Sequence, residues 1–131
     1  MTRYLSAEEI LAIHSLVIEA TGGSHGVRAV DLLGSVVARP KAKFGGKDLH
    51  KNLCTKAAVF AEAITNHHVF IDGNKRTAFV AVARFLVING HQIIATNKEV
   101  EKTMLAVAEK RMDEAALATW LKKHSKRAVG N

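Results

Sequence analysis

One proline and one cysteine stand in 131 residues, and tryptophan and tyrosine occur once each. The lone Cys54 excludes an internal disulfide and any metal site built on paired cysteines. A reducing cytosol is therefore the expected compartment. Aromatic residues make up only 5% of the chain, too few to furnish the stacking platform of a single-strand nucleic-acid binder. Long apolar runs are also missing. The longest, 78–88, carries Arg84 and is too short to span a bilayer, so no membrane partner is expected. Residues 2–6 lead directly into a helix pattern, and no signal peptide is expected.

Acidic residues are in the minority. Twelve Asp and Glu against 19 Lys and Arg give a formal net charge of +7 and a pI near 9.8. Two readings of that charge stand side by side: solubility with loose attraction to polyanions, or an acidic partner such as a nucleotide or nucleic acid. The cations are dispersed except at Lys122, Lys123, Lys126 and Arg127, read as a solvated end of the last helix.

What the chain does have is aliphatic bulk. Apolar residues are 48% of it, enough for a buried core in one domain, 1–131. Ala, Val, Leu and Ile dominate, and the expected class is all-α. Ser6 and Glu9 form a capping box. Behind it Ile10, Leu11, Ile13, Val17 and Ile18 share a helical face, ended by Gly22 and Gly23. A second helix is expected over about 28–38, with Val30, Leu33 and Val37 inward and Pro40 as its stop. The charged stretch 41–48, with paired glycines at its tip, reads as a short hairpin or mobile flap, or as a plain connector. A third helix, about 50–66, places Leu53, Ala57, Phe60 and Ile64 on one side. The helix 75–89 is apolar all round and is expected to be buried on every side, with Arg84 paired to a carboxylate. Residues 92–95 form a short extended piece. Thr96 and Glu99 box the next helix, with Val100, Met104 and Val107 inward. Asp113 caps the last, which buries Leu117, Trp120 and Leu121. The sum is a compact bundle of about six helices around a buried central helix, with one short hairpin or flap.

The most informative stretch is 66–77. It places an imidazole, a carboxylate, a glycine turn, an amide and two cations immediately before an apolar helix. Helix N-termini present unpaired N–H groups and the positive end of the dipole, and they attract anions. Lys75 and Arg76 add charge to that start. Asp72 is suited to a hard divalent cation, or alternatively to capping the helix. His68 is suited to taking a proton from an attacking hydroxyl. His67 is read as structural or solvent-facing, because no further nitrogen or sulfur ligand stands at a useful spacing.

The run His68-Val69-Phe70-Ile71-Asp72-Gly73-Asn74-Lys75-Arg76 resembles the signature of the Fic/Doc superfamily. The general Fic pattern is H-x-F-x-(D/E)-G-N-G-R-x-x-R, and the Doc (death-on-curing) branch reads H-x-F-x-D-x-N-K-R-T-A. The chain is similar to the Doc branch: Lys75 stands at the second glycine of the wider pattern, and Phe79 at its second arginine. The resemblance implies the Fic/Doc fold and a role for each residue. His68 is the catalytic base, Phe70 a buried anchor, and Asp72 the Mg²⁺ holder. Gly73 and Asn74 shape the anion loop, with the Asn74 amide on phosphate, and Lys75 and Arg76 hold the phosphates of ATP.

In the Doc branch the resemblance implies an inverted nucleotide whose terminal phosphate faces the histidine. The activity implied is phosphorylation of a threonine of elongation factor Tu, which blocks translation. The further partner implied is a small, partly disordered antitoxin. Residues 15–20 faintly resemble an inhibitory S-x-x-x-E helix but are read as plain amphipathic helix, so control is expected from that separate protein. Two other functions compete: AMP transfer to a protein hydroxyl, and a non-catalytic basic nucleic-acid-binding module.

Overall fold

In the computed structural model, which describes residues 1–128, side-chain caps set where most helices begin. The last positions of the expected domain, 129–131, lie outside the described residues. Helix α1 (Ala7–Thr21) opens on the expected capping box: Glu9 N–H donates to Ser6 Oγ at 3.1 Å, and Ser6 N–H to Glu9 Oε1 at 3.0 Å. Helix α2 (Val30–Ala38) runs into a 3-10 turn (Arg39–Lys41) that buries Pro40. Strands β1 (Lys43–Phe44) and β2 (Lys47–Asp48) then pair antiparallel, Lys43 opposite Asp48 and Phe44 opposite Lys47. Gly45 and Gly46 between them both have positive φ, at +60° and +78°. Such a turn matches the natural twist of the strands, and the stretch is a hairpin.

Helix α3 (Leu53–Asn66) starts where Asn52 accepts from Thr55 N–H at 2.8 Å, a little later than expected. Helix α4 (Asn74–Ile88) follows the 67–73 loop. Strand β3 (His91–Ile93) leads to α5 (Asn97–Ala108), boxed by Thr96 and Glu99. Helix α6 (Glu114–Lys123) is capped by Asp113. Strand β4 (Ser125–Arg127) closes on β3, with His91 opposite Arg127 and Ile93 opposite Ser125. The basic end of the chain is thus partly a strand and not only the end of α6. A second two-stranded sheet joins the expected hairpin.

The helix at the centre is α3. Ala57, Ala58, Ala61 and Ala63 are all buried on it, and such small side chains let neighbouring helices approach closely. Phe60 and Ile64 fill the core against Phe85 and Leu86 of α4 and Leu117 and Leu121 of α6. Helix α4 shares that core but is not buried on every side. Val80, Arg84 and Val87 form a solvent-facing stripe at helical spacing. Arg84 lies on that stripe and needs no carboxylate; among the described residues it forms no ion pair. Helix α2 turns Leu33 and Val36 inward and leaves Val30 exposed. One face of α1 buries Ile10, Val17 and Ile18, with His14 among them, while Leu11 lies outside.

Candidate active site

The loop between α3 and α4 mixes exposed and buried positions. His68 projects outward, Val69 and Phe70 are buried, Ile71 is exposed, and Asp72 lies half-buried. His68 has φ +49°, the left-handed region that side chains with a Cβ seldom adopt. Its neighbours hold it there. The Val69 carbonyl accepts from Arg28 N–H at 2.8 Å and Ala29 N–H at 3.1 Å, and Ile71 N–H donates to the Gly26 carbonyl at 3.1 Å. The Val27–Phe70 bridge completes this seam with the segment after α1. Phe70 anchors the loop as expected.

Asn74 closes the loop from the other side. Its Oδ1 accepts from Phe70 N–H, and its Nδ2 donates to the Phe70 carbonyl, both at 2.9 Å. Both ends of the amide bond the loop's own backbone, so the side chain shapes the loop, and one Nδ2 hydrogen is left over for a further acceptor. Gly73 supplies the turn, with φ +76° and a position against Ile18 and Arg76. Among the described residues no side chain caps α4. The N–H groups of Asn74, Lys75 and Arg76 precede the first internal bond of the helix, Thr77 N–H to the Gly73 carbonyl at 2.9 Å, and are open to an acceptor. Lys75 is exposed beside them and makes no ion pair among the described residues.

Asp72 does not cap α4 in the usual manner, because Gly73 holds the cap position. Its Oδ2 accepts from Ser24 N–H at 3.1 Å and its Oδ1 from Gly73 N–H at 2.8 Å. Arg76 Nη2 lies 3.5 Å from Oδ1. The Ser24 and Gly73 amides, helped by the Arg76 charge, hold the carboxyl below its ordinary range. Arg76 itself reaches the end of α1, donating to the Gly22 carbonyl at 2.9 Å and to Thr21 Oγ1. It therefore braces α1 to the site while keeping its charge at the start of α4.

An ionised oxygen donor beside a phosphate-attracting helix start fits magnesium. That ion commonly takes one or two carboxylates and completes its shell with water and phosphate oxygens. Among the described residues no cluster of three or more His, Cys, Asp or Glu is placed to hold a metal, so Asp72 would need oxygens from water or a ligand to complete a shell. A groove of about 550 Å³ lies beyond Asn66, lined by Glu62, Asp113 and Glu114. Its carboxylates make it a poor seat for phosphate.

The residues that sequence reasoning missed are those behind the loop: His14, Thr21, Gly23 and Ser24. His14 occurs on the buried face of α1, a polar residue at core spacing, and that was the available signal. The others gave none, because they act through backbone groups or by being small.

A model of the Fic/DOC family matches residues 4–86, a span that runs from before α1 to near the end of α4. The chain is 40% identical over 116 residues to a protein named Toxin Doc from Mycolicibacterium smegmatis, covering 88% of this chain and 82% of that one. It is 28% identical over 102 residues to Protein kinase doc of Escherichia phage P1, covering 78% and 80% respectively.

Proposed function

The chain belongs to the Fic/DOC family, and from that premise we propose that it is the toxin of a toxin–antitoxin pair, acting as an ATP-dependent protein kinase. The target is a protein hydroxyl, with a threonine of elongation factor Tu as the first candidate. The antitoxin is a small, partly disordered protein. The observation that carries this reading is the open start of α4, with exposed Lys75 on one side and the ionised Asp72 on the other, at the end of a loop that projects His68.

The chemistry follows from that arrangement. His68 takes the proton from the target hydroxyl as its oxygen attacks the terminal phosphorus of ATP. The bond from that phosphorus to the bridging oxygen breaks, and ADP leaves. Phosphoryl transfer asks for positioning and charge neutralisation more than covalent chemistry. The open N–H groups, Lys75 and Arg76 supply both. Magnesium held at Asp72 would neutralise phosphate charge and favour an in-line arrangement.

Two features favour phosphate over AMP as the transferred group. Lys75 fills the space that a glycine would leave for close backbone approach, and supplies a point charge there. Phe79 packs against the core where the wider pattern has a second phosphate-clamping arginine. The test is mass spectrometry of cell extract incubated with ATP and the protein. A gain of one phosphate on a single protein is the expected result. A gain of AMP supports nucleotidyl transfer, and no gain with retained nucleic-acid binding supports the non-catalytic module.

A further inference from the structure

We propose that His14 is a positioning residue for this site: from the buried face of α1 its imidazole fixes the Asp72 peptide, and through it the direction in which the Asp72 carboxylate meets a divalent cation. The proposal rests on the phosphotransfer reading for its catalytic consequence alone.

His14 is 4% exposed. Its Nε2 lies 2.8 Å from the Asp72 carbonyl oxygen. A carbonyl only accepts, so Nε2 carries the proton and donates. The ring also lies face to face on Phe70, with 3.8 Å between centroids and 4° between planes. One side chain thereby grips two alternate residues of the loop, Phe70 by stacking and Asp72 by a hydrogen bond. Asn74 fixes the backbone of Phe70 independently, through its N–H and carbonyl. The Asp72 carbonyl is therefore the point at which α1 sets the second half of the loop.

The Asp72 carboxylate depends on that setting. Its two oxygens accept from Ser24, in the segment after α1, and from Gly73, the next residue of the loop. The Gly73 N–H is the other half of the peptide whose carbonyl His14 holds, so a rotation of that peptide would turn this donor away from Oδ1 and leave the carboxylate free to swing from Ser24. As filler, a leucine would serve this position on α1 better, since an imidazole buried without a partner is costly. The Asp72 carbonyl is the partner that makes histidine fit. His14 is buried beneath the loop and acts through Asp72.

The test compares His14→Phe, which keeps an aromatic ring against Phe70 but removes the donor, with His14→Gln, which keeps an N–H donor of similar reach but loses the ring. Amide exchange at Ser24 and Gly73 is read on the nucleotide-free protein. Mn²⁺ binding in the presence of a non-hydrolysable ATP analogue is read by water proton relaxation. His14→Phe is expected to fold, to exchange faster at both amides, and to bind Mn²⁺ about 10- to 100-fold more weakly. His14→Gln is expected to recover most of that loss. Wild-type exchange and Mn²⁺ affinity in His14→Phe overturn the proposal. So does a folded His14→Gln that has lost the Mn²⁺ affinity, which alone decides if His14→Phe does not fold. A wild type that transfers nothing from ATP removes the phosphotransfer reading, while exchange at Ser24 and Gly73 still decides the role of His14.

Discussion

His68 pays for its place with backbone strain: at φ +49° a side chain costs on the order of 1–2 kcal/mol relative to the ordinary regions. It is exposed and makes no side-chain hydrogen bond among the described residues, so packing gives no reason for a histidine there. Replacing His68 with glycine should leave the protein at least as stable as wild type while abolishing transfer from ATP. Urea denaturation and a transfer assay on the same preparation check this; a marked loss of stability would give His68 a structural role instead. At Asp72 the sign of the pH effect is set by a lowered folded pKa. The stabilisation from its two amide donors is present above the ordinary carboxylate range and lost only as pH falls through the lower, folded value. Protection of the Ser24 and Gly73 amides should therefore persist through the usual carboxylate range and fail below it, as read by hydrogen exchange against pH. His68, Asp72, Gly73, Lys75 and Arg76 were legible as candidates because their chemical types crowd into the loop and the first turn of α4. The two bonds from the Asn74 amide to the Phe70 backbone were not, because they leave no mark in the sequence.

Two contacts between elements govern how the site and the hairpin are held. The turn after α1 presses Gly23 against the loop, where an added Cβ would lie 2.5 Å from Asp72 Oδ2, with φ at +116°. Gly22 has φ +85° but open space around it. Both Gly22→Ala and Gly23→Ala should lose stability from strain, about 1–3 kcal/mol each. Only Gly23→Ala should also shift the Mg²⁺ dependence of transfer, as a magnesium titration of both variants would show. The hairpin is latched by Lys56, which is 2% exposed, through bonds to the Asp48 carboxylate at 3.1 Å and the Pro40 carbonyl at 3.2 Å. Asp48→Asn leaves that cation buried with less compensation. It should melt below wild type, and the double variant with Lys56→Met should melt above the single one. Calorimetry that places the double variant lower would dissolve the latch. Three helix starts were readable here, since Ser6, Thr96 and Asp113 are local signals; the Asn52 cap of α3 was not read. The buried Lys56 and the β3–β4 pairing were not, because their partners lie elsewhere in the chain.

At the scale of the molecule, the described residues form six α-helices, and the full chain carries a net charge of +7. Its apolar periodicity conveyed the fold class, yet it misjudged which helix lies innermost. Alanines made α3 look ordinary, while Val80 and Val87 made the exposed stripe of α4 look buried. The basic composition left a polyanion binder open, and the arrangement around α4 favours a nucleotide. Transfer from ATP labelled on its terminal phosphate, set against ATP labelled on its innermost phosphate, tests the account most directly, using wild type and Lys75→Gly with cell extract as target. Wild type should transfer the terminal label alone. Lys75→Gly should lose that transfer by on the order of 100-fold, because the ammonium, exposed in the free protein, is desolvated against phosphate once ATP binds, where its loss costs a few kcal/mol. Transfer of the innermost label by wild type would contradict the kinase assignment, and transfer of neither label to any protein would contradict the enzyme itself.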